Sequence, residues 1–162
     1  MIVSFNVNGE KKTVHIAPNE VLLDTLRKMG YYSVKRGCEE GECGACTVLL
    51  NGKPVKSCML FTAQVKDKEI TTLEGVGTPD NPHILQKVFI EKGAIQCGFC
   101  IPGIIITAKA LLDEKLDITD EDIKEALDGN LCRCTGYVKQ VEAIKEAAKI
   151  LKKSRKSKKG GK

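Results

Sequence analysis

The chain has 162 residues, 42% of them hydrophobic and 29% charged, with four Phe, three Tyr and no Trp. That balance excludes a chain disordered throughout and leaves few aromatic platforms on which nucleic-acid bases could stack. Net charge is +5, but seven of the 26 basic residues lie in the acid-free segment Lys152–Lys162, so the rest carries 19 bases against 21 acids and no basic nucleic-acid-binding surface is implied.

Val3, Phe5 and Val7 alternate with polar residues at the period of a strand, and Asn8-Gly9 predicts a hairpin into KTVHI. Asn19 is placed to cap a helix carrying Leu22, Leu23, Leu26 and Met29, with Gly30 as its stop. After a loop rich in Cys and Gly, TVLL and the segment around Val55 flank Asn51-Gly52 as a second hairpin, and Ile70–Leu73 adds a short strand.

The period then changes to that of helices. Asn81-Pro82 reads as cap and first helical position for a helix with Ile84, Leu85, Val88 and Phe89, ending near Gly93. Pro102 opens the next, with Ile105, Ile106, Ala108, Leu111 and Leu112. Thr119 and Asp122 form an acidic capping box ahead of Ile123, Ala126 and Leu127, stopped at Gly129. A last helix from about Tyr137 to Leu151 carries Val138, Val141, Ile144, Ala148 and Leu151 as its buried stripe.

The expected fold class is therefore α+β. Residues 1–75 form a sheet-based domain, 76–81 a linker, 82–151 a four-helix domain, and 152–162 a solvated basic tail. No secretory leader opens the chain and no apolar run approaches about 18 residues, so a cytoplasmic protein without a transmembrane segment is expected.

All eight cysteines fall in two groups of four. The first is Cys38, Cys43, Cys46 and Cys58, where C-x4-C-x2-C is the local spacing of a plant-type [2Fe-2S] ferredoxin and Cys58 supplies the returning fourth thiolate. The second is Cys97-x2-Cys100 with Cys132-x1-Cys134, each pair ahead of a predicted helix. Exposed amides and the positive dipole end of two such helices would stabilise a negatively charged thiolate cluster. Structural zinc, which also accepts four thiolates, is the competing reading and would make the chain a zinc adaptor without redox turnover.

The segments GCEEGECGACTVLLNGKPVKSC, AIQCGFCIPG and GNLCRCTGY together resemble the small iron–sulfur subunit of the xanthine dehydrogenase, aldehyde oxidoreductase and carbon monoxide dehydrogenase family of molybdenum hydroxylases. The resemblance implies an N-terminal beta-grasp, ferredoxin-like domain and a C-terminal four-helix domain, each with one [2Fe-2S] cluster. It implies electron transfer from a molybdopterin-containing large subunit toward an FAD-containing medium subunit, in a heterotrimer or a dimer of heterotrimers. The second cluster would then be the one nearer molybdenum, with Gln96 and Cys134 as molybdopterin contacts.

The first loop leans toward a purine hydroxylase, with aldehyde, carbon monoxide, nicotinate and aromatic acyl-CoA oxidoreductases as the alternatives. Neither a G-x-G-x-x-G nor a Walker A motif is present, so no catalytic residue for substrate oxidation is assigned to this chain. Glu39, Glu40 and Glu42 read as solvated or interface charges, His15 and His83 as surface or packing residues, and Arg133 as a surface or cofactor-positioning charge. Phe99 and Ile101 read as packing around the second group or as part of a partner interface, and Tyr137 as a packing or interface residue.

Overall fold

Residues 1–159 are described by the structure, a computed structural model. Strand β1 (Ile2–Val7) turns at Asn8 and Gly9 and returns as β2 (Glu10–His15). With φ of +54° and +82°, the two turn residues supply the backbone that matches a tight hairpin to the twist of its strands. β3 (Thr47–Leu50) and β4 (Lys53–Lys56) repeat the device at Asn51 and Gly52. β5 (Glu69–Thr71) joins the hairpins, parallel to β1 and antiparallel to β3, which gives the order β2-β1-β5-β3-β4.

Val3, Phe5 and Val7 are buried on one face of β1, against Leu22, Leu23 and Leu26 of α1 (Leu22–Lys28). Each such side chain contributes roughly 1.5–3 kcal/mol on burial. A mixed sheet gripped by one helix is the beta-grasp arrangement expected for this half.

One detail of α1 differs from the sequence reading. Asn19 does not cap it; Val21 occupies the cap position and bridges to Phe61, and the Leu22 amide donates to the Leu60 carbonyl at 2.8 Å. A neighbouring chain segment satisfies the helix start, so no capping side chain is needed.

The second half begins with the single turn α2 (Leu73–Val76) and continues as α3 (Ile84–Glu91), α4 (Ile101–Glu114), α5 (Asp120–Leu127) and α6 (Val138–Lys159). Phe89, Ile104, Leu112, Ile123 and Ile144 centre its core, with α3 packed on α6 and α4 on α5. The Thr119–Asp122 capping box forms as expected. At α3 the cap is His83, not Asn81: its Nδ1 accepts the Leu85 N–H at 3.2 Å, while Gln86 accepts the His83 N–H at 2.7 Å. Asn81 instead closes a turn with Thr78.

α6 departs from expectation twice. It continues through Lys159, because Lys and Arg are good helix formers and cations suit a helix C-terminus. The remaining tail residues, Gly160–Lys162, lie outside the described residues. Its inner stripe is Gln140, Ala143, Ile144, Ala147 and Ala148, while Val138 is 64% exposed. Small Ala side chains let α6 approach the core closely, and Val138, on the first turn, lies beyond it. Among the described residues no helix is long and apolar enough to cross a membrane.

Candidate metal centres

The loop between α1 and β3 carries Cys38, Cys43 and Cys46, and the turn after β4 brings in Cys58. Cys38 and Cys43 exchange backbone-to-sulfur hydrogen bonds of 3.3 and 3.4 Å, and the Glu40 amide also donates to Cys38 Sγ at 3.4 Å. The amides of Cys43 and Glu40 hold the Cys38 thiol down to about 7. Cys58 is pushed the other way, up to about 11, by burial and by hydrogen bonding with Cys46. The four sulfurs thus meet two by two.

Gly37 completes the cradle, since a Cβ there would stand 2.6 Å from Cys43 Sγ. Glu39, Glu40 and Glu42 are exposed on the same loop, and Glu39 pairs with Arg36.

The second group is assembled from two helix entries. Cys100 is the N-cap of α4, with Cys97 one turn earlier; Cys132 and Cys134 sit in the loop that leads from α5 to α6. Cys97 and Cys134 form an exposed pair with sulfurs 3.6 Å apart. Cys100 and Cys132 form a less accessible pair behind it.

Burial, with Cys132 beside it, pushes the Cys100 thiol up to about 12. For Cys132, burial acts upward but is outweighed by hydrogen bonds from the Thr135 hydroxyl and the amides of Thr135 and Cys134, which leave it at about 7. Each group therefore has one thiol whose pKa is lowered by hydrogen-bond donors and one whose pKa is raised chiefly by burial.

Tyr137 and Gln140, both on the chain that enters α6, organise this second group. The Tyr137 hydroxyl accepts the Cys132 N–H at 2.8 Å, and Tyr137 itself sits at φ +70°, an uncommon backbone for an aromatic residue. Gln140, fully buried, directs Nε2 at Cys100 Sγ from 3.8 Å. Sequence reading missed Gln140, although a lone Gln heading the Ala143, Ile144, Ala147, Ala148 stripe is a visible signal of a polar task in a core.

Gln96 and Arg133 are exposed next to the Cys97–Cys134 pair. Ile101 is buried as expected, but Phe99 is 48% exposed. His15 and His83 join neither group: His15 is exposed on β2 and His83 is the α3 cap.

The two groups are welded together by backbone. Leu131, which precedes Cys132, donates its N–H to the carbonyl of Cys43 at 2.9 Å. Beside this link Gly103 of α4 lies against the Gly44 carbonyl, and Gly44, at φ +70°, lies against Gly129, so side chains at these sites would force the loops apart. Buried Asn130 ties the contact, donating to Gly44 O at 3.3 Å and accepting from Thr107 Oγ1 at 3.0 Å. Among the described residues, no three His, Cys, Asp or Glu side chains are set as ligands of a single metal ion, although Cys97, Cys100, Cys132 and Cys134 line one cavity.

Residues 5–73 match the family described as "2Fe-2S iron-sulfur cluster binding domain", and residues 72–145 the "[2Fe-2S] binding domain" family. Similar proteins include the nicotinate dehydrogenase small FeS subunit of Eubacterium barkeri, 53% identical over 146 residues that cover 90% of this chain and 93% of that one. The xanthine dehydrogenase iron-sulfur-binding subunit of Escherichia coli O157:H7 is 40% identical over 91% of this chain and 94% of its own length. The crystal structure of the aldehyde oxidoreductase from Desulfovibrio desulfuricans superposes with a TM-score of 0.91 at 46% identity, over 93% of this chain and 17% of that longer one.

The leaning toward a purine hydroxylase is not what these likenesses favour, because the nicotinate and aldehyde relatives are nearer than the xanthine one. The chain belongs to the small iron–sulfur-binding subunits of the molybdenum hydroxylase family, the group that includes these xanthine dehydrogenase, aldehyde oxidoreductase and nicotinate dehydrogenase proteins.

Proposed function

We propose that this chain is the electron-relay subunit of a complex that oxidises an N-heteroaromatic acid of the nicotinate type, with Cys38, Cys43, Cys46 and Cys58 holding one [2Fe-2S] cluster and Cys97, Cys100, Cys132 and Cys134 the other. When bound, each cluster takes up and releases one electron. The observation that carries the reading is the pairwise arrangement of the thiols in both halves. Two sulfurs for each of two irons suit that pattern, whereas a single tetrahedral zinc would draw four sulfurs round one point.

This chain's own residues do three things toward that function. Amide donors at Cys38, and the Thr135 hydroxyl at Cys132, stabilise thiolate over thiol before any metal arrives. The Gly44–Gly103 contact and Asn130 fix the separation of the two loops, and the Leu131-to-Cys43 hydrogen bond joins them by one short covalent and hydrogen-bonded route. The exposed Cys97–Cys134 pair, flanked by Gln96 and Arg133 and by exposed Phe99 and Leu131, is the face assigned to the molybdopterin subunit. Gln96 and Cys134 are its proposed pterin contacts.

The face near Cys58, with Met59 and Phe61 exposed, is assigned to a flavin-containing subunit in a heterotrimer or a dimer of heterotrimers. The division into residues 1–75, a linker at 76–81 and residues 82–151, followed by a basic segment at 152–162, belongs to the same reading. The nicotinate assignment is supported by the 53% identity to a nicotinate dehydrogenase subunit.

The test is mass spectrometry and metal analysis of the untagged native complex, followed by assays with nicotinate, xanthine, aldehydes and carbon monoxide using an artificial acceptor. A molybdenum-containing partner and turnover of nicotinate are expected. Activity confined to another class would overturn the substrate assignment, and a complex without molybdenum would overturn the relay. The isolated chain is expected to exchange electrons but to oxidise none of these substrates.

A further inference from the structure

Among the described residues, the inner sulfur pair of the second group is met by side chains from outside the cysteine group as well as by backbone amides. Gln140 is fully buried, and its Nε2 lies 3.8 Å from Cys100 Sγ, within reach of a weak N–H to sulfur hydrogen bond. Its Oε1 is buried without a hydrogen-bond partner among the described residues. Reversing the amide would set oxygen against an electron-rich sulfur and strand the N–H groups, so the assigned orientation is the one chemistry favours. A glutamine serving only to pack would gain nothing from a stranded acceptor, since Leu or Met fills the same space without it.

Thr135 repeats the theme on the partner sulfur. Its Oγ1 accepts the Tyr137 N–H at 3.2 Å and lies 3.2 Å from Cys132 Sγ, which leaves the hydroxyl hydrogen free to point at that sulfur once it is a thiolate.

Resting on the ligand assignment made above, we propose that Gln140 is a positioning residue that tunes the second centre, its amide donor on Cys100 Sγ favouring the reduced over the oxidised state. Reduction adds one electron and therefore negative charge at the sulfurs, and a donor fixed on a sulfur stabilises the more negative state. No bond breaks and no proton leaves Nε2. Because the residue sits within a core stripe and not on a loop, the donor is held in place before the electron arrives.

The test is an EPR-monitored redox titration of the cluster-loaded full chain, comparing the parent with Gln140→Leu and Gln140→Met and using the first centre in the same molecule as the reference. Both variants are expected to hold the second cluster, to leave the first midpoint unchanged and to make the second centre harder to reduce. The expected loss is about tenfold in the reduction equilibrium constant, ~59 mV for one electron. Thermal unfolding is expected to be unchanged or shifted upward, because the stranded Oε1 is removed; a purely structural glutamine predicts the reverse.

An unmoved second midpoint in the variants that load, or a second signal lost from both, would overturn the tuning role. A parent chain with no second [2Fe-2S] signal would instead overturn the ligand assignment on which it rests, so the two failures are told apart.

Discussion

Cys38, Cys43 and Cys46 lie within a single loop, and backbone amides at Cys38, Glu40 and Cys43 approach the sulfurs there; Cys97, Cys100, Cys132 and Cys134 come from two helix entries and are met by Gln140 and Thr135 side chains. The contrast teaches that the same donor set can be built with different exposure to mutation. Amides come with any sequence that keeps the loop's shape, so the first site depends on backbone. The second depends on tertiary packing that brings two helices together, and its hydrogen bonds can be adjusted one side chain at a time.

Removing a ligand from either group breaks the comparison most strongly. Cys43→Ser is expected to abolish the first paramagnetic signal and spare the second, and Cys134→Ser the converse, as read by EPR of the reduced chain. Cys134→Ser is also expected to lower the thermal stability of the helical half, because ligation there joins elements distant in sequence. Loss of both signals from either variant would mean that the two sites do not load independently.

A smaller effect is expected where the two regions touch. Gly103→Ala puts a Cβ against the Gly44 carbonyl, and overpacking of this kind costs about 1–3 kcal/mol. Urea unfolding should show that loss. The spin–spin interaction between the two reduced centres should change with it, because the contact sets their separation. A variant as stable as the parent, with an unaltered interaction, would remove the contact from the account.

The smallest effect concerns the start of α3, whose cap joins neither sulfur group. Burial, and then the charge of Lys109, lower the His83 pKa below its ordinary range near 6.5, and the neutral Nδ1 caps the helix. A lowered folded-state value means that the cap contributes fully above the ordinary imidazole range and is lost as pH falls through the folded value. Stability should therefore decline as pH falls below the ordinary imidazole range, by no more than about 1 kcal/mol, a typical capping contribution. His83→Asn, whose amide oxygen caps without titrating, should flatten that part of the profile.

What was legible in the sequence follows the same division between local and tertiary causes. Asn8-Gly9, Asn51-Gly52 and the Thr119–Asp122 box act within a few residues, and each forms as read. Asn19 and Asn81 have the right chemistry for caps but lose the position, Asn19 because the distant Leu60 carbonyl satisfies the start of α1 and Asn81 because His83, two residues on, caps α3 instead. The last helix overran its expected end because residues 152–159 contain neither Gly nor Pro. The cysteine spacing pointed to both groups, while the pairing of sulfurs across 37 residues, from Cys97 to Cys134, and the approach of Gln140 from the next helix depend on the packed structure.

Iron, acid-labile sulfide and zinc analysis of the purified chain, with EPR of the dithionite-reduced sample, tests the central claim most directly. Two paired-thiol sites predict about four iron and four sulfide per chain and two distinct reduced paramagnetic signals. Zinc bound by both groups without sulfide would contradict the account.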